Sequence, residues 1–201
     1  MLPEILTLTV EHLKLVAITV AIAAALGIPG AALLARHPAG RRWALWLANI
    51  GQTIPSLALF GFLIPVPLIG GIGQRTAILA LCVYALLPIV RNSLTGIVGV
   101  DAAVRESAVA MGMTRRQILW QVELPLAAPS IMAGVRIATV TTIGTATIAA
   151  AIGGGGLGVF IFRGIAMVDS RTILAGAVPA AILAIAADEV LEWIERRLSP
   201  A

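Results

Sequence analysis

Charged residues are scarce in this chain of 201 residues, because only 12% are Asp, Glu, Lys or Arg while 59% are hydrophobic. A soluble domain has about 25% charged and about 45–50% apolar residues. The mean hydropathy of +1.00 reflects an apolar excess too large for one globular core. The composition therefore predicts an all-α, polytopic membrane protein whose surface is partly covered by a bilayer.

Residues that carry catalysis or metal binding are also few. Cys82 is the only cysteine and cannot form an intrachain disulfide. The two histidines belong to no His-Glu-x-x-His motif, and no Gly-x-Ser-x-Gly run occurs. The net charge of +4 comes from scattered arginines without interleaved aromatic residues, a pattern that argues against nucleic-acid binding. We expect a protein that is not an enzyme and holds no metal or cofactor.

Five apolar runs have the length that a membrane crossing requires, about 20 residues. The second run contains Pro55, which predicts a kink that neighbouring helices can tolerate. The predicted membrane spans are Leu15–Ala35, Trp43–Leu63, Thr76–Leu94, Pro129–Ile152 and Thr172–Leu191. The whole chain, residues 1–201, is expected to form one transmembrane domain.

Arginines between the spans predict the orientation of the chain. Cytoplasmic segments carry an excess of Lys and Arg, and three segments on one predicted side do so. They contain Arg36, Arg41 and Arg42; Arg105, Arg115 and Arg116; and Arg196 and Arg197. We expect the N-terminus outside and the C-terminus in the cytoplasm.

Residues 98–125 are too polar to cross a membrane and too regularly patterned to be an irregular loop. Asp101 can cap a short helix, which Gly112 can end in a left-handed conformation. Thr114 and Gln117 have the spacing of a capping box that opens a second helix. Two prolines, at positions 125 and 129, are expected to stop that helix and to start the fourth span.

The same segment resembles the cytoplasmic EAA loop of ABC importer permeases. The matching positions are Glu106, Ser107, Ala108, Gly112, Val122, Leu124 and Pro125. Ser107 replaces the usual alanine and Val122 the usual isoleucine. The resemblance implies a type I importer permease in a bacterial or archaeal cell membrane. It also implies two partner subunits that bind ATP and Mg, an extracytoplasmic binding protein, and a second copy of the permease or a similar permease.

Two further runs narrow the resemblance. Residues 51–59, GQTIPSLAL, look like a segment of glycine betaine, carnitine and choline permeases. Residues 152–158, IGGGGLG, are similar to a segment that recurs in osmoprotectant permeases and also in some permeases for methionine and phosphonate. The resemblance implies transport of osmoprotectants. An amino-acid permease, or a channel or secondary transporter with no ATPase, remains the alternative.

Polar residues within the predicted spans are candidates for the substrate pathway: Gln52, Thr53, Ser56, Thr142 and Thr145. Threonines in membrane helices more often bond to a carbonyl of their own helix. Arg136 is expected either to extend its charge to the cytoplasmic interface or to pair with Asp188 or Glu189. The glycine-rich run is a turn that either has no further role or contributes to gating or to contact with the binding protein.

Overall fold

The computed structural model describes residues 2–67 and 70–198, with only the backbone described for Leu2. Helices account for most of this part of the chain, and no described residue lies in a strand. The all-α prediction is therefore confirmed. The α-helices are α1 (Leu2–Leu34), α2 (Pro38–Thr53), α3 (Ser56–Leu63), α4 (Gln74–Val98), α5 (Ala102–Ala110), α6 (Arg115–Ile118), α7 (Leu124–Ala146), α8 (Gly158–Met167) and α9 (Ser170–Leu198).

Four helical segments are long and apolar enough to cross a membrane, and a bent pair can provide a fifth span. The four segments are Pro3–Leu34, Gln74–Val98, Arg115–Ala146 and Ser170–Leu198. The pair consists of α2 and α3, whose axes differ by 96°. Pro55 explains this break, because the residue before a proline is driven out of the helical region, and Ile54 has an extended backbone.

The first span begins well before Leu15, the predicted boundary. Helix α1 starts at Leu2 and includes two glutamates that the sequence suggested lay outside the span. Both carboxylates have partners from the C-terminal half of the chain. Glu4 pairs with Arg163 at 2.8 Å, and Glu11 accepts a hydrogen bond from the backbone of Gly156. These contacts allow the helix to continue through charged positions.

The predicted interruption at Pro125 and Pro129 is wrong. The chain is helical without a break from Arg115 through Ala146, with a π-helical turn at Leu119–Glu123. In this turn the Leu124 N–H bonds to the Leu119 carbonyl, five residues back. The wider turn falls immediately before Pro125 and accommodates a residue that lacks an N–H. Consequently the second helix of residues 98–125 and the fourth span form one continuous rod.

Helices α4 and α7 form the centre of the fold. Helix α4 packs against α1 and α7, and α7 also packs against α9. The approach of α4 to α7 is close, because a Cβ atom at Gly134 would lie 2.8 Å from the Pro88 carbonyl oxygen. Helix α8, which the sequence did not predict, packs on α9 and is too short to cross a membrane. The fourth span also ends earlier than expected, because Ile148–Ile152 form a 3₁₀ turn.

Candidate functional site: the coupling segment

Residues 98–125, here called the coupling segment, begin with the short helix α5. The Asp101 carboxylate caps this helix by accepting a hydrogen bond from the Ala103 N–H at 2.9 Å. At the other end Gly112 is left-handed, with φ of +78°. The Met113 N–H bonds to the Ala108 carbonyl and the Gly112 N–H to the Val109 carbonyl. This is a Schellman motif, so the predicted roles of Asp101 and Gly112 in the fold are confirmed.

The second helix of the coupling segment opens with the predicted capping box. The Gln117 N–H donates to Thr114 Oγ1, and the Thr114 N–H donates to Gln117 Oε1 at 2.8 Å. Two N–H groups at the start of α6 are thereby satisfied. The box fixes the direction in which the chain leaves Gly112 and joins the long rod that ends at Ala146.

The coupling segment has a small buried inner face and an exposed outer face that mixes polar and apolar residues. Ala108 and Ile118 are buried against the rest of the chain. Glu106 is exposed, and so are large apolar side chains that usually avoid water: Val104, Val109, Met111 and Trp120. Several exposed large apolar residues on one short folded segment are typical of a surface that binds another protein.

Glu123 joins the coupling segment to the membrane helices. It lies in the π-helical turn, and its side chain is only 8% exposed. Arg36, from the turn between α1 and α2, lies 3.2 Å from one carboxylate oxygen. Arg105, from α5, lies 3.1 Å from the other oxygen. A buried carboxylate needs such partners, because an unpaired charge is costly to bury.

Both arginines also bind backbone carbonyls, which extends the network. Arg105 donates to the carbonyls of Ile97 and Val98 at the end of α4, and Arg36 donates to the carbonyl of Arg115 at 2.7 Å. Sequence reasoning did not identify Glu123. One feature of the sequence could have indicated a paired carboxylate here. Glu123 is an acidic residue between Val122 and Leu124, close to a predicted span and to two arginine-rich segments.

The candidate pathway residues fall into two groups on different helices. Gln52 and Thr53 are exposed at the end of α2, and Ser56 is half-buried at the start of α3. The other two residues lie on α7. Thr142 is buried, and its hydroxyl has no hydrogen-bond partner among the described residues. The Thr145 hydroxyl donates to the carbonyl of Thr141, one turn earlier in the same helix.

The glycine-rich run lies at the opposite end of α7 from Glu123, about 35 Å away at 1.5 Å per helical residue. It packs directly on α1. Gly156 has φ of +75°, and a Cβ atom there would lie 2.9 Å from Nδ1 of His12. His12 is fully buried, and its Nε2–H donates to the carbonyl of Ile143 at 3.1 Å. Residues 153–158 are called the glycine loop below.

Arg136 on α7 faces three carboxylates on α9. Its guanidinium nitrogens lie 3.6 Å from Asp188, 3.2 Å from Glu192 and 3.3 Å from Glu195. The predicted pairing with Asp188 is therefore present, but Asp188 is the most distant of the three partners. This cluster links α7 to α9.

The geometry defines a class: a polytopic helical membrane protein that presents a folded helix pair on one surface. The chain belongs to the family described as "Binding-protein-dependent transport system inner membrane component", whose model matches residues 17–200.

Three similar proteins support this assignment. The choline transport system permease protein OpuBB of Bacillus subtilis (strain 168) is 46% identical over 98% of this chain and 90% of its own length. The glycine betaine/carnitine/choline transport system permease protein OpuCD of the same organism is 46% identical over 94% of this chain and 82% of its own length. An inward-facing structure of the MetNI methionine ABC transporter matches with a TM-score of 0.86 and 26% identity, and covers 98% of this chain and 97% of the other.

Proposed function

We propose that this chain is the permease subunit of an ATP-driven importer of quaternary ammonium osmoprotectants such as choline, carnitine and glycine betaine. The names of the similar permeases support this substrate class. Residues 51–59 and 152–158, which resemble segments of osmoprotectant permeases, point in the same direction. The chain itself is not catalytic in this proposal, because ATP and Mg are bound by a partner subunit.

The coupling segment is the single observation that carries the proposal. Its outer face offers Val104, Val109 and Met111 to a partner, and its inner end is held by Glu123. An ATP-binding subunit that docks on this face can move α7 directly, because α6 continues through the π-helical turn into α7. The positions assigned to this coupling are Glu106, Ser107, Ala108, Gly112, Val122, Leu124 and Pro125.

In this arrangement the coupling segment faces the cytoplasm and the glycine loop faces outward, with the N-terminus outside and the C-terminus inside. The extracytoplasmic binding protein then docks on the side of the glycine loop. A second permease, either an identical copy or a similar chain, completes the substrate pathway. Gln52, Thr53, Ser56, Thr142 and Thr145 are the residues that we assign to that pathway.

Substrate selectivity is expected to reside mainly in the binding protein. Quaternary ammonium groups are usually held by aromatic cages, whereas only 4% of this chain is aromatic. Three of the four tryptophans, Trp43, Trp46 and Trp193, are well exposed on the membrane helices. This placement is typical of anchors at the membrane interface and does not suggest a cage around a ligand.

Uptake of labelled choline, carnitine and glycine betaine tests the proposal. The chain is expressed with its ATP-binding subunit in cells that lack other osmolyte uptake systems, with and without the cognate binding protein. We expect ATP-dependent uptake that disappears when the binding protein is omitted.

Two other results would change the conclusion in different ways. Uptake of methionine without uptake of any quaternary amine would contradict the proposed substrate, while the assignment as the permease of an ATP-driven importer would stand. Rapid flux that needs neither the ATP-binding subunit nor the binding protein would contradict the class and favour a channel.

A further inference from the structure

Two cavities of opposite character lie on the side of the molecule that carries the coupling segment. The first is an apolar groove of about 510 Å³ between α1, α2 and α4. Apart from Trp43, its lining consists of aliphatic side chains and glycines. The residues that line the groove include Gly30, Leu34, Gly40, Leu47, Gly51 and Val90.

The second cavity is basic and has a volume of about 380 Å³. Three arginines and one glutamate line it: Arg36, Arg41, Arg105 and Glu123. Arg36 and Arg105 already neutralise Glu123. Arg41 forms no ion pair within the described part of the chain, so the cavity retains an excess of positive charge that suits an anion.

The linings of the two cavities contain consecutive residues at the turn between α1 and α2. Leu34 and Gly40 line the groove, and the residues that follow each of them, Ala35 and Arg41, line the basic cavity. Along α2 the groove extends from Gly40 to Gly51, about 16 Å at 1.5 Å per residue. This length is close to half of the hydrocarbon thickness of about 30 Å, which is the depth of one leaflet.

The neighbouring tryptophans place this turn at a membrane interface. Trp43 and Trp46 are both exposed and meet edge to face with ring centroids 5.2 Å apart. Tryptophan is enriched where the hydrocarbon core meets the headgroups. The basic cavity therefore lies at headgroup level, and the groove extends from it into the hydrocarbon.

We infer that the two cavities form one binding site for an anionic phospholipid. One acyl chain occupies the groove, and the phosphate faces Arg41. A free phosphate would leave the groove unused, and an uncharged amphiphile would leave the charge of Arg41 without a counterion. This inference does not depend on the identity of the transported substrate.

Photolabelling of the assembled transporter in nanodiscs tests the site. The nanodiscs contain phosphatidylcholine with a small fraction of phosphatidylglycerol that carries a photoreactive acyl chain, and mass spectrometry maps the labelled peptides. We expect labelling of peptides that contain Leu34, Leu47 and Val90. A photoreactive phosphatidylcholine should label these peptides several-fold less.

Two variants probe the two halves of the site separately. Arg41→Gln should reduce labelling by phosphatidylglycerol about fivefold, since the loss of one hydrogen bond to the phosphate costs about 1 kcal/mol. Gly30→Leu should fill part of the groove, because Gly30 lines it and the backbone there has room for a Cβ atom, which meets nothing within 4 Å. Labelling of the groove peptides should then be lost.

Matched controls separate the site from general effects on folding. Gly61→Leu introduces the same side chain at another helical glycine with open space, and Arg42→Gln removes the adjacent arginine, which does not line the basic cavity. Both controls should label normally.

Three results would overturn the inference. Equal labelling by phosphatidylcholine and phosphatidylglycerol would refute the role of charge. Normal labelling in both Arg41→Gln and Gly30→Leu would refute the location. Cross-links between two copies of the chain through the groove, without lipid labelling, would assign this surface to the dimer.

Discussion

The two ends of helix α7 are held in different ways. At the coupling segment, long charged side chains form the connections: Arg36 and Arg105 bind Glu123. At the glycine loop, backbone lies directly against α1, and Gly156 leaves no room for a side chain beside His12.

This difference is relevant to a protein that must transmit movement. Ion pairs between long side chains can follow a moving helix while they remain in contact, and Arg105 also bonds to the carbonyls of Ile97 and Val98. Close backbone packing tolerates little displacement, because protein interiors are densely packed. We therefore expect changes at the coupling segment to affect transport most, and changes at the glycine loop to affect stability most.

The largest effect is expected from Glu123→Ala, which removes the acceptor shared by two arginines. Breaking a buried pair costs about 3 kcal/mol here, at the lower end of the usual range because both arginines are about one-third exposed. Uptake should be lost, and the melting temperature in detergent should fall. Glu123→Gln keeps the shape of the side chain and one acceptor oxygen. This variant should therefore retain part of the uptake and lose less of the melting temperature. Normal uptake in Glu123→Ala would contradict the proposed connection.

Gly112→Val should abolish uptake with a smaller loss of stability. A β-branched residue is strained at φ of +78°, by about 1–2 kcal/mol, so the Schellman motif should open and α5 should lose its position. The measurements are uptake and the ATP hydrolysis that the binding protein stimulates, with membrane insertion as the control. Asn tolerates left-handed backbone better, so Gly112→Asn should retain activity. Full transport by Gly112→Val would refute the role assigned to this turn.

Gly156→Ala tests the other end of α7. At this position the strain of a φ of +75° is combined with a contact of 2.9 Å between the new Cβ atom and the buried His12 ring. Overpacking of this kind typically lowers the free energy of unfolding by about 1–3 kcal/mol. A suitable control is Gly112→Ala, which has similar backbone strain but no atom within 4 Å of the new Cβ. Chemical unfolding in micelles should show that Gly156→Ala lowers the free energy of unfolding more than Gly112→Ala does. Equal losses would show that the glycine loop is not closely packed.

The smallest effect is expected from Asp188→Asn. Asp188 is 47% exposed and is one of three carboxylates near Arg136. Its removal should therefore cost less than about 1 kcal/mol. Arg136→Ala should cost more, because it leaves Asp188, Glu192 and Glu195 without their shared cation. A loss from Asp188→Asn as large as that from Arg136→Ala would indicate an exclusive pair between these two residues.

Features that depend on local sequence were predictable. Asp101, Gly112 and the Thr114–Gln117 box were expected from residue type and spacing, and they are formed as expected. The lengths of the apolar runs predicted the approximate positions of the membrane spans. Pro125 was misleading, because the π-helical turn that accommodates it is not encoded by any recognisable residue pattern.

Features that depend on contacts between distant segments were not predictable. Glu123 receives its partners from Arg36 and Arg105, which lie 87 and 18 residues away in the chain. Helix α8 is short and packs on α9, and no helix was predicted there because its apolar run is too short for a membrane span. The early start of α1 likewise depends on contacts of Glu4 and Glu11 with residues in the C-terminal half.

Photo-cross-linking from Met111→Cys tests most directly the claim that the coupling segment receives the ATP-binding subunit. Cys82 is replaced by serine, so that a photoreactive thiol reagent labels only the introduced cysteine in the assembled transporter. Val168→Cys, 91% exposed between α8 and α9, provides a control that is at least as accessible as position 111, at the opposite end of α9 from the coupling segment. The account predicts cross-links from position 111 to the ATP-binding subunit and none from position 168. Cross-links to that subunit from position 168 and not from position 111 would contradict it.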